Sequence, residues 1–328
     1  MLNNIYKYTH LRFDFFDNLL IRATQKYALN DPFELRPSHK NEDDDSDSES
    51  FEKLANSSYF DYAVVSLSET NNNLLMWSHY ADQHKGIVIE FDANRVLFDD
   101  YKDFTALKYD EDLEGEIIDD VENERRENIN AGHIQRVRYN SKRPSMQKFE
   151  NILEHLLIKS DEWIYEKEHR IILPLLTADY IVVHEKHLDS IEFTLYDSSY
   201  LDEKSLGNSM FLINIKEILK LEGDRYIREL YEQPYVSEED AKNSFIESIY
   251  REYLKDLSED PTTVFLYKIH PESIKAIYMG CKILKRDRDR LIKKISLDKN
   301  LSHIKIFQSV TSSERFELEF KQLDIHSL

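Results

Sequence analysis

A single cysteine, Cys281, stands among 328 residues, so the chain cannot form an internal disulfide or build a cysteine-based zinc site. No apolar run approaches the roughly 20 residues that a membrane-spanning helix needs. The opening Met1 to Tyr8 carries neither the basic start nor the apolar stretch of a signal peptide. Basic residues are the minority: 43 lysines and arginines face 63 aspartates and glutamates, a formal charge of −20. That field repels phosphate backbones and disfavours broad binding to nucleic acid. The one concentrated basic stretch, Lys282 to Lys294, has Asp287 and Asp289 interleaved and reads as a solvated helix face with local ion pairs. The expectation is a folded cytoplasmic protein that neither crosses nor coats a membrane. With 41% hydrophobic and 12% aromatic residues it has material for a full core.

Strand and helix patterns alternate along the chain. Tyr6-Lys-Tyr8 reads as a first strand, and Asp14 to Tyr27 has the apolar spacing of a helix. Leu29-Asn-Asp-Pro-Phe-Glu34 breaks it, because the residue before proline avoids the helical region. Asn41 to Ser50 is a run of acids and serines with nothing to bury, expected as a disordered surface loop. Tyr62 to Ser68 and Ile87 to Phe91 read as strands, with a helix over Leu74 to Gln83 between them that Asn71 to Asn73 can cap and Gly86 can end. Asp110 to Arg126 is charged and weakly patterned, whereas Met146 to Ile158 carries a helical apolar stripe. Residues 176–261 read as an inserted helical region. Strand character returns at Val264 to Ile269 and Ile274 to Met279, followed by a helix near Asp287 to Ile295. Ile304 to Val310 and Phe316 to Phe320 read as a hairpin. The expected fold is α+β: a twisted mixed or antiparallel sheet with flanking helices, its core divided between residues 1–175 and 262–328.

Two segments carry chemistry. Leu75 to Asp92 crowds Trp77, His79 and Tyr80 into one helix that runs into a strand; Met76, Trp77, Tyr80 and Ala81 share a face and His79 lies toward its rim. Trp163 to Leu173 places Glu166, Glu168 and Arg170 at alternate positions, which in an extended chain projects all three from one side. Each has a structural reading as well: a salt-bridged strand face for the acids and arginine, and core packing for Trp77 and Tyr80. No His-x-x-x-His or similar spacing points to a metal, and none is expected.

Ile5-Tyr-Lys-Tyr8, Leu29-Asn-Asp-Pro-Phe-Glu34, Val65-Ser-Leu-Ser-Glu69, Met76-Trp-Ser-His-Tyr-Ala81, Gly86 to Asp92 and Trp163 to Arg170 resemble a bacterial family catalogued as domain of unknown function 2971. A looser match runs over Ile274 to Gly280. The order of elements also resembles that of ADP-ribosyltransferases, enzymes that cleave NAD in a split-sheet fold. There an early-strand side chain, a Ser or Tyr on a second strand and a late Glu-x-Glu share one cleft.

That resemblance implies NAD as substrate and a macromolecular acceptor, protein or nucleic acid. It implies catalytic roles for Glu168, Glu166, Ser66 and His79, and contacts to NAD from Tyr6, Lys7, Tyr8, Ser68, Trp77, Tyr80 and Arg170. The first strand carries Tyr6-Lys-Tyr8 where those enzymes have an arginine, histidine or tyrosine. A role in toxicity or anti-phage defence, with a neutralising or regulatory protein partner, follows from the bacterial family resemblance. The competing readings are a non-catalytic interaction module and a nuclease using His79, Glu168 and Arg170.

Overall fold

The computed structural model describes residues 2–35, 62–98, 132–144, 152–194, 201, 203–231, 237 and 254–323. The expected acidic loop at 41–50 and the charged stretch at 110–126 lie outside the described residues. The N-terminal third supplies β1 (Asn4–Thr9), helix α1 (Phe15–Asn18), β2 (Leu20–Gln25), β3 (Tyr62–Ser68), α2 (Leu74–Tyr80) and β4 (Ile87–Asp92). The middle supplies β5 (Ile134–Arg136), β6 (Arg138–Asn140), β7 (Ile158–Ser160), β8 (Glu168–Pro174), β9 (Tyr180–His184), α3 (Leu188–Thr194), β10 (Glu203–Gly207), β11 (Met210–Ile213) and α4 (Ile215–Tyr231). The C-terminal part adds α5 (Lys255–Glu259), β12 (Val264–Lys268), β13 (Ile274–Met279), α6 (Lys285–Leu297), β14 (Lys305–Thr311) and β15 (Leu318–Gln322).

Thirteen of these strands join one mixed sheet, as expected for an α+β chain. Its pairings are antiparallel except β13 with β14, which α6 connects in parallel; β6 and β7 form a separate parallel pair. On β3 the side chains alternate: Ala63, Val65 and Leu67 enter the main apolar core, while Ser66 and Ser68 face the other way. A second core of Tyr8, Met76, Trp77, Val88 and Tyr278 lies under α2. Among the described residues, no helix is long and apolar enough to cross a membrane.

The sheet forks at β3. One edge pairs with β8 along its whole length, from Tyr62↔Pro174 to Ser68↔Glu168. The other edge is shared. β2 takes its start through Thr24↔Val64 and Gln25↔Ala63, and β1 takes its end through Tyr6↔Ser68. Between these contacts the edge of β3 at Ser66 is open to a side chain, and Lys7 fills the gap by donating to the Ser66 carbonyl at 2.8 Å.

Four local expectations change. The helix expected over Asp14 to Tyr27 stops after one turn, where Leu19 adopts a left-handed φ of 56°, and the rest becomes β2. Pairing with β3 and β12 buries Leu20, Ile21, Ala23 and Gln25, and this tertiary gain overrides the helical spacing. The helix expected over Met146 to Ile158 is, where described, a 3-10 segment (Ile152–Leu157) leading into β7. The extended chain expected to carry Glu166, Glu168 and Arg170 begins only at Glu168, because Asp161–Glu166 is 3-10 helix and Lys167 is left-handed at φ 47°.

The region read as a helical insertion also supplies β9, β10 and β11 to the same sheet. Asn208 and Ser209, both at positive φ, turn β10 back into β11, so Met210 to Ile213 form a strand before α4 begins. By contrast, β1, β3, β4, β12, β13, α6 and the β14–β15 hairpin lie where their periodicity puts them.

Gly86, between α2 and β4, has no room for a side chain. A Cβ there would lie 2.4 Å from the Thr9 carbonyl oxygen and 2.9 Å from the Ala81 carbonyl carbon. Gly86→Ala is expected to lower stability by about 1–3 kcal/mol through this overpacking. Thermal unfolding checks it, and an unchanged midpoint would mean that the β1–β4 junction yields freely.

Candidate active site

At the fork lies a cavity of about 210 Å³, walled by β1, β3, β8, α2 and the turn after β2. Tyr6, Lys7 and Tyr8 reach it from β1, Ser66 from β3, Tyr80 from α2, Glu166 from the end of the 3-10 turn before β8, and Glu168 from the start of β8. Asn30, Glu34, Lys159 and Arg170 complete the polar lining. Residues as far apart in the chain as Tyr6 and Arg170 are thus brought together.

Five charged side chains form the cavity's deep wall, each no more than 4% exposed. Lys159 Nζ lies 2.7 Å from Glu166 Oε2, 3.1 Å from Glu168 Oε2 and 3.2 Å from Glu34 Oε1, the last an ion pair without hydrogen-bond geometry. Arg170 donates from Nε to Glu168 Oε1 at 2.8 Å, from Nη2 to Glu34 Oε2 at 2.6 Å, and from Nη1 to the Leu156 carbonyl at 2.7 Å. Three carboxylates therefore face two cations. Tyr80 carries the network to the cavity: its hydroxyl donates to Glu166 Oε1 at 2.6 Å and accepts from Asn30 Nδ2 at 2.9 Å.

This setting pushes the two acids apart. Burial alone would raise the Glu168 carboxyl, but Arg170 and then Lys159 prevail, with the Ser66 hydroxyl adding to them, and hold it at about 2. For Glu166 burial wins over the attraction of Lys159, and its pKa lies above the ordinary carboxylate value. Lys159 is held above its usual value because Glu168, Glu34 and Glu166 outweigh the cost of its burial. Tyr80 is raised by burial and by the neighbouring Glu166. One carboxylate stays ionised while its neighbour binds a proton more readily, a division suited to electrostatic and acid–base roles.

Lys7 is partly buried, and burial lowers its pKa to about 8 against the pull of Glu168 and with the help of Arg22 and Arg12. The folded value lies below the unfolded 10.5, so the penalty of burying the charged amine is fully present below pH 8. It is relieved as pH rises towards 10.5. The stability difference between wild type and Lys7→Met is expected to shift in favour of wild type across that window, as read by urea unfolding below pH 8 and again towards pH 10.5. A pH-independent difference would contradict the assignment.

Four expected site residues need reassignment. Trp77 is fully buried, donates from Nε1 to the Asn71 carbonyl at 2.8 Å and packs edge-on against Tyr8, so it positions Tyr8 and offers no free face to a ligand. Ser68 is also fully buried and donates to the Glu166 carbonyl at 2.7 Å, fixing the turn that presents Glu166. His79 is exposed, its ring 6.2 Å from that of Tyr80, and it does not line the cavity. Arg170 is fully buried and spends four of its five N–H donors on Glu168, Glu34 and the Leu156 carbonyl, so it orders the carboxylates and does not reach out to a pyrophosphate. Tyr8 is nearly buried, its hydroxyl donating to the Thr70 carbonyl at 2.8 Å, which leaves Tyr6 and Tyr80 as the open aromatic walls.

Residues 76–171 match the model of a family described as a protein of unknown function, DUF2971. No curated protein and no solved structure matches the chain. The DUF2971 stretch is narrower than the motif resemblance, which reaches back to Ile5. It includes Tyr80, Lys159, Glu166, Glu168 and Arg170 and leaves out Tyr6, Lys7, Asn30, Glu34 and Ser66. The match carries no activity and does not bear on ADP-ribosyl transfer.

Three cavity residues escaped the sequence reading of chemistry. Lys159 had one visible sign, a lone cation ending the apolar run Leu156-Leu-Ile158. Asn30 and Glu34 belong to the Asn-Asp-Pro-Phe-Glu run, where the turn alone accounted for them. Among the described residues no three His, Cys, Asp or Glu side chains are arranged to hold a metal ion.

Proposed function

We propose that the chain cleaves NAD between nicotinamide and ribose and passes the ADP-ribose to a macromolecular acceptor, protein or nucleic acid. It would do so in the cytoplasm as a bacterial toxin or defence effector, under the control of a neutralising or regulatory protein. One observation carries the reading: Tyr6, Lys7, Ser66, Tyr80, Glu166 and Glu168, from five separate elements, all line one cavity.

As the ribose–nitrogen bond breaks, its electron pair leaves with nicotinamide and positive charge develops on the sugar. The cluster of three carboxylates against two cations, with Glu168 kept ionised, stabilises that charge where it forms. The acceptor's nucleophilic atom then bonds to the sugar carbon, and its proton passes to Glu166, whose raised pKa suits a general base. Tyr6 and Tyr80 hold the nicotinamide ring, and Lys7 offers charge to the pyrophosphate.

Incubation with NAD tests this through two readouts: free nicotinamide, and a mass gain on co-purifying protein or nucleic acid. Both are expected. A non-catalytic interaction module is the second reading, favoured by the fact that both Glu168 oxygens are already paired. A chain that leaves NAD intact would support it. Cleavage of RNA or DNA without NAD would indicate a nuclease, which has weaker support because His79 lies outside the cavity and Arg170 is fully buried among its carboxylate partners.

A further inference from the structure

A second cavity, of about 310 Å³, adjoins the first and shares Glu34 and Lys159 with it. Its lining combines three kinds of group. Lys142 and Arg143 are exposed and adjacent, and among the described residues neither is paired with a carboxylate. In a chain of charge −20, two neighbouring cations without a carboxylate partner among the described residues form a local reversal of the field at this cavity. Phe33 is 60% exposed and carries the Arg143 guanidinium over its ring, 5.9 Å from the centre, so a largely exposed aromatic ring and a cation stand together. Asp31 is 4% exposed; its Oδ1 accepts from the Phe33 amide at 2.8 Å, but its buried Oδ2 has no hydrogen-bond partner. A buried carboxylate oxygen left unsatisfied is costly and calls for a donor.

An anion for Lys142 and Arg143, a ring for Phe33 and a hydroxyl or amino donor for Asp31 are joined in one class of molecule. We infer that this cavity binds a nucleoside monophosphate group, its phosphate at Lys142 and Arg143, its base on Phe33 and its sugar or amino donor at Asp31. The inference extends the NAD reading: the adenylate half of the dinucleotide occupies the second cavity, the nicotinamide half the first, and the Glu34–Lys159 pair stands between them.

Calorimetric titration of the full chain with AMP tests it, with inorganic phosphate as the control. AMP is expected to bind, the Lys142→Ala/Arg143→Ala double variant to bind roughly tenfold or more weakly, and Asp31→Asn to weaken AMP while leaving phosphate unaffected. The variant cations are exposed, so the double variant is expected to keep the wild-type thermal midpoint. No AMP binding, or phosphate binding as tightly as AMP, would overturn the inference. AMP binding that depends on Lys142 and Arg143 in a chain that releases no nicotinamide would keep this site and remove the NAD reading. Nicotinamide release with a KM for NAD unmoved by the double variant would do the reverse.

Discussion

Arg170→Met is expected to lose about 3–5 kcal/mol of folding stability, the cost of removing one partner from a buried charge network. Arg170 is fully buried and binds two carboxylates and a backbone carbonyl. Without it, three carboxylates would share Lys159 as their close cation, and the Leu156 carbonyl would lose a charged donor. Urea unfolding near neutral pH measures the loss. The pH dependence adds a signature. With a folded pKa of about 2 and an unfolded value near 4.5, Glu168 contributes stability above pH 4.5 that is lost as pH falls towards 2. Without Arg170 the folded value rises, so the variant is expected to lose less stability on acidification than wild type. A variant within about 1 kcal/mol of wild type, the range of exposed pairs, would mean that water reaches the cluster.

Glu168→Gln is expected to lower nicotinamide release by about 10²–10³-fold, the scale seen when one preorganised electrostatic contact to a transition state is lost. Its fold is expected to survive, because two carboxylates would still face two cations and the amide keeps the shape and the contact to Arg170. The asymmetry follows from charge balance: the cluster can spare a carboxylate more readily than a cation. Unchanged release would remove Glu168 from the chemistry and leave it as an anchor for Arg170 and Lys159. Glu166→Gln separates the two roles. It is expected to depress transfer to the acceptor more than the first bond cleavage, since a general base acts on the incoming nucleophile.

The pattern of residues made part of this legible. Strands β1, β3 and β4 and helix α2 follow from short apolar and aromatic runs or from helical spacing, and β1, β3 and α2 wall the cavity. The alternate placement of Glu168 and Arg170 also gives their shared side of β8, paired with Ser68 and Ser66. What stayed hidden depends on distant pairing. Nothing local in Leu20 to Gln25 says that β3 and β12 flank it, and nothing local in Lys159 says that three carboxylates surround it. Trp77 and Arg170 illustrate the converse limit. Residue type suggested ligand contact, but burial among aromatic or acidic neighbours consumes each side chain's interacting groups.

The most direct test is the crystal structure of the Glu168→Gln variant soaked with NAD. Expected is the nicotinamide ring between Tyr6 and Tyr80, with its ribose beside residues 166 and 168. Dinucleotide bound elsewhere on the chain, or none at saturating concentration while the cavity stands open, would contradict the assignment of this cavity to NAD.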